Sequence, residues 1–273
     1  MAARSDKANG IALVISDVDG TLVTTDKRLT PATIAAVGRL RAAGIAFSIA
    51  SARPPIGLRS LVAELGLDLP MGAFNGASVV RPDLSPLAER TIPEASARAA
   101  LDLMRAEGLD IWVFAGGAWC LRDPQGAYTD LERRTIGAEP RVVADLDTLM
   151  GAASKLVGVS RDHAHLADSE TRIAAALGDR ATVHRSQKYY LDVTPPDLDK
   201  GQFVSWMSGH LGIPPERIAT FGDAGNDRPM FARSGFSVAM GNAEDAVKAT
   251  ASAVTDSNDA DGFANAVQRF LLP

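Results

Sequence analysis

The chain has 273 residues, enough for two domains, and its 46% hydrophobic and 22% charged residues are the proportions of a soluble globular protein. A net charge of −5 gives no electrostatic reason to expect a nucleic-acid partner. No apolar run reaches the roughly 20 residues that span a bilayer, the first ten residues carry no secretory hydrophobic region, and Cys120 stands alone, so no membrane partner, no disulfide and a cytoplasmic location are expected.

Residues 11–23 read IALVISDVDGTLV. The unbroken apolar run predicts a strand buried on both faces, as in a parallel sheet. Asp17 and Asp19 then emerge at its carboxyl end, where open α/β sheets bind ligands. A plain surface turn at Gly20 is the alternative reading of this stretch alone. Thr30 followed by Pro31 predicts a helix that carries Ile34, Val37 and Leu40 at helical spacing and stops at Gly44. Residues 45–50 form a second strand tipped by Ser51-Ala52-Arg53, and Pro54 leads into a helix through Leu58, Leu61 and Leu65 to Gly66. This is the strand–helix–strand–helix unit of a parallel sheet. Residues 71–77 read as a further strand end and a turn at Asn75-Gly76.

From about Pro82 the pattern changes. Strands now come in adjacent pairs, 110–115 with 118–122 across Gly116-Gly117, and 181–185 with 189–194. Helices at 94–107 and 163–177 and a strand near 156–159 lie between them. Paired strands with interleaved helices predict a separate α+β module, and Pro195-Pro196 marks the way out of it. The α/β pattern then resumes: a helix at 202–211, a strand at 218–221 tipped by Gly222-Asp223-Ala224-Gly225-Asn226-Asp227, a strand at 236–240, and a last helix at 263–271. The expected organisation is a discontinuous core, 1–82 with 196–273, and an insert at 83–195.

The core strands would thus deliver Asp17, Asp19, Ser51, Lys200, Asp223, Asn226 and Asp227 to one crevice. Four carboxylates at close quarters cannot all ionise unaided. A hard divalent cation removes the difficulty, and Mg²⁺ needs only one or two protein carboxylates together with waters and a substrate phosphate. Lys200 adds positive charge, and Ser51 and Asn226 add donors, a set suited to a phosphoryl group.

These residues resemble the haloacid dehalogenase-like (HAD) superfamily. Asp17-Val18-Asp19-Gly20-Thr21 is similar to its first motif, Ser51 to its second, Lys200 to its third and Gly222-Asp223-Ala224-Gly225-Asn226-Asp227 to its fourth. Phe74-Asn75-Gly76-Ala77 and Met240-Gly241-Asn242-Ala243 extend the likeness to the Cof-like subfamily. The resemblance implies a Rossmann-like three-layer α/β/α core with a parallel sheet and an inserted α+β cap of type IIB. It also implies a Mg²⁺-dependent phosphatase of small phosphorylated metabolites, a sugar phosphate or a phosphorylated cofactor, working through an aspartyl-phosphate. Asp17 would be the nucleophile and Asp19 the general acid and base. The Asp17 carboxylate, the Asp19 main-chain carbonyl and Asp223 would hold the metal, with Asp227 supporting its water shell or Lys200. Ser51, Lys200 and Asn226 would hold the phosphoryl oxygens, and Arg53 and Asn75 would face the substrate or cap. One departure is Ala52, where many relatives have glycine; alanine fits unless that turn needs a positive φ.

Other readings stand beside these. Asn226 and Asp227 also suit a helix start, and Asn75-Gly76 a simple turn. Asn242 and Asn258 read as turn or cap residues. Trp112, Phe114, Trp119, Tyr189 and Tyr190 suit a strand core better than a substrate pocket. His163 and His165 read as solvated, whereas His184 and Arg185 are candidates for substrate contact. A phosphotransferase such as a phosphomutase could use the same groups, and a non-catalytic binding protein would be expected to have lost one of them. The sequence carries no signature of oligomeric state.

Overall fold

A computed structural model describes residues 10–272 of the chain. They divide into two compact units. The first holds the described residues up to Ala52, Arg59–Ser85 and those from Asp199 onward; the second is Arg53–Leu58 with Pro86–Leu198. The short segment after Ala52 thus groups with the second unit, and no sequence signal marks it.

The first unit is built on a five-stranded parallel sheet. Its order is Ala253–Val254, Phe236–Ala239, Ile218–Gly222, Leu13–Ser16, Ala46–Ile49. The opening strand lies between two neighbours, in register Leu13 with Ile218 on one side and with Ala46 on the other. All four of its residues are buried, which is why the sequence shows an apolar run and no alternation. The helix Pro31–Ala42 starts as its capping signal predicts: the Thr30 hydroxyl accepts the Thr33 amide. It buries Ala36, Val37 and Leu40. A parallel bridge from Ala50 to Gly72 brings the hairpin Met71–Ala73 and Ser78–Val80 beside the sheet.

The second unit is an α+β insert around a six-stranded sheet. The order is Thr182–Gln187, Tyr190–Thr194, Ala153–Val159, Asp110–Ala115, Ala118–Leu121, Arg141–Val142. The helices Glu94–Ala106 and His163–Leu177 supply Leu101, Met104, Leu166 and Ile173 to one apolar core with Val113, Leu156 and Leu191 from the strands. Trp112, one residue out of step with Val113, belongs to the other face. There it packs edge-on against Trp119 and Tyr190, with ring centroids 5.2 and 5.0 Å apart. Trp112, Phe114, Trp119 and Tyr190 are buried, as the sequence reading of them as core expects, whereas Tyr189 is only half-buried and stacks on Tyr128 with ring centroids 4.3 Å apart.

Two details differ from expectation. His163 and His165 are held by the protein: the His163 ring pairs with the Tyr128 hydroxyl at 3.0 Å and the His165 ring with the Glu107 carbonyl at 2.8 Å. Arg185 binds Glu170, through both its backbone amide and its guanidinium. Among the described residues, no helix is long and apolar enough to cross a membrane.

Candidate active site

The loop after the opening strand is shaped to let two acids meet. The Asp17 amide still donates to Phe221 in the neighbouring strand, at 2.9 Å. The chain then turns sharply, with the amides of Thr21, Leu22 and Val23 all directed to the Val18 carbonyl. Gly20 sits at φ +88°, and a Cβ there would fall 2.7 Å from Asp223 Cγ. Only glycine tolerates both the left-handed backbone and that approach. The Asp223 carboxylate is then gripped from two sides, by the Thr21 hydroxyl at 3.1 Å and the Asn242 side-chain amide at 3.3 Å. Asn242 also donates to the Gly20 carbonyl at 2.9 Å, tying the two loops together. Neither Thr21 nor Asn242 was singled out as a site residue from sequence. A hydroxyl or amide is ambiguous until its partner is known.

Lys200 opens the helix Lys200–Leu211, two residues earlier than the apolar spacing suggests. Asp199 is the cap, accepting the Gln202 amide at 3.0 Å, and its carboxylate also pairs with Arg233. An ammonium at a helix start opposes the helix dipole and is buried here as well. Two carboxylates offset both costs. Lys200 Nζ lies 2.5 Å from Asp17 Oδ1 and 2.7 Å from Asp227 Oδ1. Asp227 is fully buried, and its other oxygen accepts the amides of Asp223 and Ala224, each at 2.9 Å. Each Asp227 oxygen thus already has a protein partner. Gly222 makes room for it, since a Cβ there would lie 2.5 Å from Asp227 Cγ.

Asp17, Asp223 and Asp227 each offer an oxygen within 4.8 Å of the others. Three carboxylates stand against the one ammonium of Lys200, an excess of negative charge. Its mark is in the titration. Burial pushes the Asp17 carboxyl well up against the pull of Lys200, with Asp227 and Asp223 adding to the rise. Burial and then the Asp227 charge push Asp223 up to about 6. Burial alone would lower Lys200, but Asp17 and Asp227 hold its ammonium above the usual lysine value. An all-oxygen cluster carrying surplus negative charge is the donor set that hard divalent cations take. The residues therefore fit a metal site.

The remaining candidates fall in two places. Ser51 is buried just past the strand beside the opening one; its amide donates to Gly72 and its carbonyl accepts the Asn75 amide, both at 2.8 Å. Ala52 does not have a positive φ, so alanine in place of glycine costs nothing there. Asn75 adopts a left-handed conformation, φ 57°, and its side-chain oxygen accepts from Asn226 at 3.2 Å. Asn75 is therefore both a turn residue and a contact of Asn226. Asp19 pairs with Lys27, Oδ1 to Nζ 2.8 Å. Arg53 belongs to the second unit, where it donates to the Gly57 carbonyl at 3.3 Å.

Comparison with known proteins gives the same direction. A family model for haloacid dehalogenase-like hydrolases matches residues 14–267. An HMP-PP phosphatase from Cronobacter sakazakii is 28% identical over 227 residues, 83% of each chain. A solved haloacid dehalogenase-like hydrolase from Bacteroides thetaiotaomicron aligns with a TM-score of 0.88 at 27% identity, over 95% of this chain and 99% of that one. A HAD subclass IIB sugar phosphatase aligns with a TM-score of 0.83 at 22% identity, over 96% and 99% of the two chains, a likeness of fold.

Proposed function

The chain belongs to the haloacid dehalogenase-like hydrolases and is a phosphatase of small phosphorylated metabolites, and we propose that Asp17 is its nucleophile, with Mg²⁺ as the cation of the acidic cluster. The observation that carries this reading is the buried Lys200 ammonium held between Asp17 and Asp227, with Asp223 alongside. A sugar phosphate or a phosphorylated cofactor is the substrate class we favour, in keeping with the names of the relatives.

The Asp17 carboxylate attacks phosphorus, and the ester oxygen leaves with a proton from Asp19. Water then attacks the aspartyl-phosphate, giving its proton back to Asp19, so that one hard displacement becomes two easier ones. Lys200 fixes the Asp17 carboxylate and, with Ser51 and Asn226, binds the phosphoryl oxygens. Asp17, the Asp19 main-chain carbonyl and Asp223 would hold the cation, which when bound supplies charge neutralisation to the transferred group. Asp227 keeps Lys200 and the 223–224 turn in place; with both oxygens already engaged, it supports the site from behind. The insert at 83–195 serves as the cap, and Asn75 is a substrate contact of the first unit. The lone, buried Cys120 suits a cytoplasmic protein.

A panel of phosphomonoesters assayed with purified protein tests the reading. Turnover is expected to need Mg²⁺, to stop with chelator, and to fall by about a thousandfold or more in Asp17→Asn. Folded Asp17→Asn protein working at the wild-type rate would end it.

A further inference from the structure

Residues 23–29 form a tight hairpin just beyond the acidic loop. Val23 and Leu29 bridge antiparallel, Thr24 donates to the Arg28 carbonyl at 3.0 Å, and Lys27 donates to the Thr24 carbonyl at 2.9 Å. Lys27 itself stands in the left-handed region at φ 65°, a conformation a lysine adopts at a cost. The hairpin is also tied from outside. Asp259 accepts both the amide and the hydroxyl of Thr25, at 2.8 and 2.7 Å. Asn258 donates to the Val23 carbonyl at 2.9 Å, and the Thr30 hydroxyl donates to Asp261 at 2.6 Å. All this restraint presents one group, the Lys27 ammonium, to Asp19 Oδ1 at 2.8 Å.

Stability does not account for the arrangement. The pair is half open to water, 50% of the Lys27 side chain and 32% of that of Asp19 being exposed, and such pairs add little to folding. A strained backbone held by three separate tethers points to function. We infer that Lys27 is a positioning residue for Asp19, confining its carboxylate to one rotamer so that the proton reaches the leaving oxygen; the inference rests on the role given to Asp19 above. Lys27 neither gives nor takes that proton. It acts through the placement of the group that does.

Lys27→Ala and Lys27→Arg, assayed on an alkyl phosphate and on p-nitrophenyl phosphate, separate this role from a structural one. An alkoxide must be protonated as it leaves, whereas nitrophenolate leaves without help. Lys27→Ala is expected to lose about tenfold or more in kcat on the alkyl ester and less than about threefold on the nitrophenyl ester, with KM little changed and most of the loss restored by Lys27→Arg. Equal losses on the two esters, or none, would overturn the inference. Crystal structures of wild type and Lys27→Ala give a readout independent of turnover: Asp19 should occupy one rotamer in the first and several in the second. One unchanged rotamer in both would also overturn it. A wild type inactive on every ester would instead defeat the phosphatase mechanism, and the rotamer comparison would still decide the role of Lys27.

Discussion

Thr21 and Asn242 hold the Asp223 carboxylate from opposite sides, and removing either loosens that carboxylate. Thr21→Val is expected to weaken Mg²⁺ binding about 10- to 100-fold with the fold intact, read by titration calorimetry. The Asp223 carboxyl, raised from 3.8 to about 6, sets the pH dependence of the same affinity. Below about pH 6 each cation must expel the Asp223 proton, so affinity should fall by about tenfold per pH unit or more there, the raised Asp17 carboxyl adding to the loss. Stability follows with its own sign. Between 3.8 and about 6 the folded state holds a proton that the unfolded chain has released, so the cation-free protein loses stability as pH rises through that window. Melting temperatures at pH 4 and pH 7, with and without Mg²⁺, check both statements. At this scale the sequence was legible wherever a residue type has few uses, as with Asp17, Lys200 and Asp223. It gave Thr21 no role of its own and read Asn242 only as a turn or cap residue, because the Asp223 carboxylate they share comes from another loop.

The helix Lys200–Leu211 ties the placement of Lys200 to one capping residue. Asp199 both caps the helix and pairs with Arg233, so it sets where the backbone of Lys200 begins. Asp199→Ala is expected to cost about 1–2 kcal/mol in a denaturant melt, and to lower kcat by loosening Lys200 between its two carboxylates. Long elements with clear signals matched their sequence reading: Pro31–Ala42 behind Thr30, and His163–Leu177. The helix Thr129–Ile136 had no such signal. It starts after Tyr128, which sits at φ 58° and makes no side-chain cap. The strand Ala153–Val159 was read as a short piece because its first residues are small and polar, although it lies at the centre of its sheet. The two-residue strands Arg141–Val142 and Ala253–Val254 exist only through pairing with longer neighbours, which no local pattern encodes.

The described residues divide into two compact units, and the three tryptophans of the chain are shared between them. Trp112 and Trp119 lie in the second unit and Trp206 in the first. Unfolding is expected in two steps, with Mg²⁺ raising only the one that Trp206 reports, since the proposed ligands all belong to the first unit. Fluorescence melts of Trp206→Phe, which leaves only the second unit's indoles, test this. A single transition shifted by Mg²⁺ in both proteins would show instead that the units unfold together. The change of pattern near Pro82 made an insert legible, but not the membership of 53–58. That segment groups with the second unit through its packing against the helix Thr129–Ile136, a contact distant in sequence.

Asp17 and Lys200 are 183 positions apart, and the whole second unit is encoded between them. On the ribosome, then, the strand bearing Asp17 is made long before either its lysine or its neighbour Ile218–Gly222 has been translated. The stretch Pro86–Leu198 can complete its own sheet while the first unit is still open. A nascent chain therefore has no assembled acidic cluster, which is complete only once the strand Ile218–Gly222 and the turn after it have left the exit tunnel.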